Sequence, residues 1–302
     1  MRVLGDDEIR ARLPADRVVA VLTALLHAQA EGNFRAPARA VIPLTHPERL
    51  TVTAGALGDQ WYGYRAYAGV GAQGDEQVTV VHDGASGAVL GMAVSALLGP
   101  MRCGAMTAVA VDALTPPGPV DVTLVGAGRQ AYHQLWALRA VRTLRRVRVV
   151  GRSPGSAARF VEEVRSRLGL DAAEATPPDL EADLVVLATS SPTPVLDPER
   201  IRPGQLVVTV GPKQVGRAEY SPALADAADL VVTDSLAQLR GYDPPHVLAD
   251  QADEIVELSA LLATPGVDHG DERGLGAAAG SRVLFCNVGL AGAEAALLHV
   301  LL

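Results

Sequence analysis

Aromatic residues make up only 4% of this 302-residue chain, although 49% of it is hydrophobic. The core it can bury is therefore aliphatic, and the length suffices for two modest domains or one large one. Cysteine is nearly absent. Cys103 and Cys286 are too few for a disulfide framework and lack the paired spacing of a metal site, so no metal is expected. Positive charge is also short: 26 Lys and Arg stand against 34 Asp and Glu, for a formal net charge of −8. A nucleic-acid partner would need a basic face to neutralise its phosphates. The Arg-rich stretch RTLRRVRVVGR at 142–152 does not supply one, because it alternates with valine as a strand would. No apolar run reaches the ~20 residues of a membrane span, and the opening MRVLGDDEIRARL lacks the apolar core of a secretory signal. These absences describe a soluble cytoplasmic protein with neither nucleic acid nor membrane as a partner.

What is present follows two rhythms. Residues 6–31 predict a helical region that Asp6 and Asp7 can cap and Pro14 interrupts, with Ile9, Leu13, Val18, Val21, Leu22, Leu25 and Leu26 as its apolar positions. From 36 to 98, short β-rich runs such as RLTVTAGAL, YGYRAYAGV and EQVTVVHD are separated by Gly, Pro and Asp, the pattern of a mainly antiparallel sheet. A small-residue helix is expected over 101–114, and PPGP at 116–119 marks a domain boundary. Beyond it, the strands DVTLVG, RVRVVGR, DLVVLAT, QLVVTVG and DLVVTDS alternate with helical or loop segments, as in a parallel doubly wound sheet. Residues 266–281, rich in Gly and Asp, predict a mobile loop. The tail FCNVGLAGAEAALLHVLL predicts an apolar helix that packs back on the first half. The expected fold class is α/β. A Rossmann doubly wound sheet occupies 118–284, and an α+β domain is formed by 1–117 together with a C-terminal helix at 285–302.

The segment VGAGRQA at 125–131 sets Gly126, Gly128 and Ala131 in G-x-G-x-x-A spacing. Among 30 glycines the spacing alone is weak. Its context strengthens it, because it follows one strand, opens a helix and precedes another strand, as a dinucleotide fingerprint requires. Gly126 permits the tight turn, Gly128 lets backbone approach a pyrophosphate at the positive end of the helix, and Ala131 allows close helix–strand packing. Arg129 and Gln130 complete the set at the helix opening. The end of the second strand selects the dinucleotide. An NAD site offers Asp or Glu there for the ribose 2′-hydroxyl, whereas this chain has Gly151, Arg152 and Ser153. Arg152 can meet a 2′-phosphate bidentately and Ser153 can add a hydroxyl, so NADP(H) is the expected cofactor; the plainer reading is a solvated Arg in a turn. Thr189, Ser190 and Ser191, after a later strand, and Gly211, after the next, are expected to line the same crevice.

These motifs occur in order with a P-x-R ending at Arg39, an MRCGA around Arg102, a G-x-x-x-x-G-R-x-E element at 211–219 and a terminal GLAGAEAA. In this combination the chain resembles the ornithine cyclodeaminase/μ-crystallin superfamily nearly end to end. The resemblance implies a homodimer whose first domain forms both the dimer interface and the pocket for the carboxylate of a small amino or imino acid. It implies Arg39, Arg65 (where the family usually has Lys) and Arg102 as substrate-binding residues. Guanidinium groups converging on one pocket would clamp a carboxylate for hydride transfer; taken singly, each reads as a solvated surface arginine. Cys103 stands where the family usually has Thr and reads as a packing residue, with no basic partner in view to activate it. Cyclodeaminases carry an Asp shortly after the QLVVTVG strand, for the distal amine of the substrate. Here that place holds Lys213, and a cation cannot hold an ornithine or lysine ammonium. Lys213 is the catalytic candidate as a proton donor to an imine or carbonyl; it also reads as a clamp for a second substrate anion, or as a solvated loop residue. The expected function is an NADP(H)-dependent oxidoreductase acting on the C=N/C–N (or C=O) bond of a small α-imino or α-amino acid, an imine (ketimine) reductase or amino-acid dehydrogenase. The rivals are a cyclodeaminase of a non-ornithine amino acid and a non-catalytic, NADPH-dependent small-ligand-binding protein.

Overall fold

The computed structural model describes residues 2–45, 49–68, 77–176, 181–263 and 280–302. Pro14 divides the N-terminal helical region into Asp6–Arg12 and Ala15–Ala30, since its ring and missing N–H exclude it from a helix interior. Ile9, Leu13, Val18, Leu22, Leu25 and Leu26 are buried, as their periodicity requires. A three-residue strand, Arg2–Leu4, precedes these helices and pairs in parallel with Val89–Ser95; it is too short to show a period. The remaining strands of this seven-stranded sheet are antiparallel and run from Phe34–Arg35 to Val89–Ser95. Alternation gives the sheet two faces. Trp61, Gly63 and Arg65 point inward, Trp61 stacking on His299 of the last helix, while Tyr62 and Tyr64 point outward. Val3, Ile42, Val94, Tyr62 and Tyr64 are exposed large hydrophobic residues on that outer side.

The helix expected at 101–114 begins earlier, at Leu98, and is buried through nearly all of its length to Leu114. Its small residues allow close approach: Gly104 packs against the backbone of His133 on the helix Arg129–Leu138. This helix therefore joins the first domain to the second.

The second sheet has eight strands, all parallel. Their order is Ala172–Glu174, Leu144–Val150, Val120–Val125, Leu184–Leu187, Leu206–Thr209, Val283–Cys286, Leu230–Thr233 and Val256–Glu257. The winding reverses between Val120–Val125 and Leu184–Leu187, and the carboxyl ends of strands at such a switch point form a ligand crevice. The tail departs from the expected helix. The tail is not helical from 285: Val283–Cys286 is a strand inside the sheet, and the helix spans only Ala293–His299. A four-residue apolar run fits a buried strand and a buried helix equally well by pattern alone. Residues 287–292 then carry the chain from the second sheet back to the first domain. The loop expected at 266–281 lies, as far as 279, outside the described residues. No described helix is long and apolar enough to cross a membrane.

Candidate functional site

A cavity of about 880 Å³ opens at the switch point and runs between the two domains. The second domain lines it with Gly126, Gly128, Arg129, Gln130, Arg152, Ser153, Thr189, Ser190, Ser191 and Gly211, and the first with Arg65, Gln77, Gly99, Arg102 and Cys103. Ala131 stands behind this wall, fully buried. Gly126 has φ +124°, and a Cβ there would run into the carbonyl of Ala188, so the two strand ends meet with no room for a side chain. At Gly128 the space a Cβ would take is open, and the helix Arg129–Leu138 begins there with its unbonded amides toward the cavity. Arg152 is exposed beyond the strand Leu144–Val150 and forms no hydrogen bond or ion pair with the described residues. A bare backbone turn, a helix N-terminus and an uncommitted guanidinium along one wall fit a phosphate-bearing dinucleotide.

Glu219 braces this wall from behind. Its buried carboxylate accepts from Thr189 N at 2.9 Å, Thr189 Oγ1 at 2.7 Å, Val210 N at 3.1 Å and Gly211 N at 2.5 Å. It thus ties together the loops that leave two neighbouring strands. Burial raises its carboxyl above the usual range, with the Thr189 donors and Lys213 pulling the other way. The sequence shows Glu219 only as a landmark of the G-x-x-x-x-G-R-x-E pattern; its bracing role depends on strand neighbours that the chain order does not reveal.

At the other end of the cavity, Arg65 and Arg102 converge on a carboxylate of the chain itself that no motif marks. Arg65 Nη1 donates to Glu294 Oε1 at 2.5 Å and Arg102 Nε donates to the same oxygen at 2.8 Å. Arg65 Nε also donates to Gln77 Oε1 at 2.7 Å. Arg65 is 7% exposed and Glu294 1%, so these are not solvated surface residues. Burial alone would raise the Glu294 carboxyl, but Arg65 and Arg102 outweigh it and hold it below the usual range. Burial opposes the charge of Arg102 too, yet the fields of Cys103, Glu294 and Asp234 raise its pKa. Arg102 Nη1 is buried with no hydrogen-bond partner among the described residues. The guanidinium lies over Gly289, at φ +93°, where a Cβ would be 2.6 Å from both Nη1 and Nη2. One signal for Glu294 was available: an acid in an uncharged small-residue helix is buried, and a buried acid requires a basic partner.

Lys213 and Arg39 do not line the cavity. Lys213, the one lysine of the chain, is 5% exposed, which removes the solvated-loop reading. Its Nζ donates to Val210 O at 3.0 Å and Asn287 O at 2.8 Å. Arg39 donates from Nε to Gln238 Oε1 at 3.0 Å and from Nη2 to Val288 O at 2.9 Å, and lies 4.1 Å over the Tyr242 ring. Both residues grip the crossover 287–290. The amides of Val288, Gly289 and Leu290 donate to the buried Asp234 carboxylate at 2.7, 2.9 and 2.7 Å. A buried, irregular backbone needs a partner for each of its polar groups, and these side chains provide them. Nearby, His246 Nδ1 accepts from Leu248 N at 3.0 Å and Nε2 lies 3.2 Å from Tyr220 Oη. Burial, with Lys213 and Arg39, pushes the His246 imidazole down to about 3, and burial pushes the Cys286 thiol up to about 11.

Fold and cavity together define an α/β protein with a Rossmann-type parallel sheet and a second, mainly antiparallel sheet closing one side of its crevice. The chain belongs to the ornithine cyclodeaminase/mu-crystallin family, whose pattern matches residues 3–291. Over 138 residues it is 38% identical to the Delta(1)-pyrroline-2-carboxylate/Delta(1)-piperideine-2-carboxylate reductase of Azospirillum brasilense, covering 44% of this chain and 43% of that one. Over 188 residues it is 31% identical to the iminosuccinate reductase of Paracoccus denitrificans, covering 58% and 56%. The chain thus spans about half the length of these curated relatives. The Delta(1)-pyrroline-2-carboxylate reductase of Thermococcus litoralis, solved with NADH and L-proline, shares the fold with a TM-score of 0.85 at 22% identity, over 100% of this chain and 96% of that one.

Proposed function

We propose that this protein is an NADP(H)-dependent imine reductase that acts on the C=N bond of a small α-imino acid. The observation that carries the reading is one continuous cavity with the Gly126–Gln130 turn and Arg152 at one end and Arg65 and Arg102 at the other. A nicotinamide dinucleotide held in this crevice would supply the hydride for the imine carbon. The chain's own residues bind and orient. The amides of the helix after Gly128 hold the pyrophosphate, and Arg152, with Ser153 beside it, takes the 2′-phosphate. Thr189, Ser190, Ser191 and Gly211, set by Glu219, shape the wall between the two ends. The guanidinium of Arg102, tied to Glu294 through Nε alone, meets the substrate carboxylate, and Arg65, fixed by Gln77 and Glu294, stands beside it. At that end the Glu294 carboxylate is committed to Arg65 and Arg102; the imine nitrogen enters already protonated and needs no side-chain donor. Lys213, spent on two carbonyls, is a positioning residue in this reading.

The two domains follow the same division. Residues 118–286 hold the dinucleotide; residues 1–117 with the helix Ala293–His299 hold the substrate. The apolar outer face of the antiparallel sheet, with Tyr62, Tyr64 and Val94, meets a second copy to form a homodimer.

The test follows NADPH absorbance with a panel of cyclic ketimines, and of keto acids with ammonia or amines. Turnover is expected on the ketimines. Ammonia release from a diamino acid without net NADPH loss would establish a cyclodeaminase instead, and tight NADPH binding with no turnover across the panel would establish a binding protein. Arg152→Ala should weaken NADPH about tenfold or more and leave NADH nearly unchanged; an equal loss for both would refute the 2′-phosphate assignment.

A further inference from the structure

We infer that Gln77 is a further substrate-binding residue, whose side-chain amide nitrogen donates a hydrogen bond to the substrate carboxylate beside Arg102. The inference rests on the reading of the Arg65–Arg102 end as the substrate end. Gln77 opens the strand Gln77–Asp83, which pairs antiparallel with Trp61–Ala68 and sets Thr79 opposite Arg65. Residues two apart on a strand share a face, so Gln77 lies diagonal to Arg65 on the inner side of the sheet, within reach of a long side chain. Arg65 Nε donates to Gln77 Oε1 at 2.7 Å. An arginine nitrogen can only donate, so the atom that meets it must be the amide oxygen. The free end of the amide is therefore Nε2. Gln77 is half-buried and lines the cavity. Its Nε2 has no hydrogen-bond partner among the described residues and, unlike Arg102 Nη1, is not sealed from solvent.

The facing helix leaves room for this pair. Gly99, in the first turn of the helix Leu98–Leu114, also lines the cavity; a Cβ there would stand 3.2 Å from Arg65 Nη2 and 3.4 Å from Gln77 Oε1. Arg65 and Gln77 thus pack against the helix turn that carries Arg102 on the same face. A carboxylate accepts at about four lone-pair sites. The guanidinium groups are already partly spent, Arg65 through Nε and Nη1 and Arg102 through Nε. A neutral amide adds a donor without adding charge. Its orientation is set before the substrate arrives, because Arg65 holds the oxygen.

The test measures dissociation constants by calorimetry on the NADPH-saturated full chain, with pyrrole-2-carboxylate as a planar analogue of a cyclic imino acid. Gln77→Leu should weaken this ligand about tenfold or more and leave NADPH affinity within about twofold. Unchanged ligand affinity overturns the inference. So does an equal loss of NADPH affinity, which would set the amide against the dinucleotide. The same substitution is then made in an Arg65→Lys background, which keeps the charge opposite Glu294. A direct contact still costs about tenfold there. No further loss means that Gln77 works only by holding Arg65, which overturns the inference as well. If the variants do not fold, the wild type decides by NMR on chain carrying isotope-labelled glutamine. The ligand should shift a side-chain amide signal, and no shifted signal rejects the contact. Failure of the wild type to bind the probe rejects both the inference and the substrate-end reading. Ketimine turnover measured in parallel separates the two claims. Weakened binding in Gln77→Leu without wild-type turnover rejects the reductase and keeps the inference, and turnover with unchanged Gln77→Leu affinity does the reverse.

Discussion

Replacing Lys213 by Met would leave the carbonyls of Val210 and Asn287 buried without a donor. We expect a loss of about 1–3 kcal/mol in stability by denaturant titration, with the pH dependence of turnover unchanged. A pH-profile shift would return the lysine to the chemistry. Because this is the only lysine, an amine-reactive reagent should label it only after unfolding. His246 supplies a second test. It titrates at about 3 in the folded chain against an ordinary 6.5, so between these values the unfolded chain binds a proton that the folded chain refuses. Stability should therefore fall as pH drops from 6.5 toward 3, by up to several kcal/mol, roughly, at the acid end. His246→Gln should flatten the slope between pH 6.5 and 4.5, above the range where most carboxylates titrate. At this scale the sequence revealed residue types better than residue duties. Arg65 and Arg102 lie on the cavity wall at positions that the family pattern marks. The duties of Lys213 and Arg39 were not legible, because they depend on the carbonyls of Asn287 and Val288, 74 and 249 positions away.

Elements were more legible where their pattern is long. The interrupted helix at 6–30, the antiparallel run and the alternating strands all formed close to their expected places, because a hydrophobic period repeated over many residues outweighs local exceptions. Arg2–Leu4, Ala172–Glu174 and Val283–Cys286 are short, and each is held in its sheet by a parallel neighbour distant in the chain. The crossover 287–292 was hidden for a related reason: its shape is imposed by Asp234, Lys213 and Arg39 rather than by its own composition. Gly289 is the position where that shape reaches the site. In Gly289→Ala the new methyl would occupy the space of the Arg102 guanidinium at an unfavourable positive φ. Substrate KM should rise about tenfold or more with NADPH affinity little changed. Loss of NADPH binding alongside would show that the crossover supports both ends of the cavity.

For the whole molecule, the outer face of the antiparallel sheet is the feature that a lone chain leaves unexplained. Tyr62 stacks on His82 at 4.7 Å between ring centroids, and Tyr64 lies nearby, yet both tyrosines stay about 40% exposed. On the proposed homodimer, Tyr64→Lys should lower the mass by light scattering from dimer to monomer while leaving NADPH affinity intact; a monomeric wild type, or an unchanged dimer mass in the variant, would reject this face as the interface. The sheet order has a further consequence, for biosynthesis. Val283–Cys286 fills the gap between Leu206–Thr209 and Leu230–Thr233, and the helix Ala293–His299 seals the inner face of the first sheet. A ribosome would therefore have to translate almost to residue 300 before either domain could close. Domains usually fold one after another as they emerge, but here both wait for the same twenty residues, and until then a nascent chain exposes two open sheets for chaperones to guard.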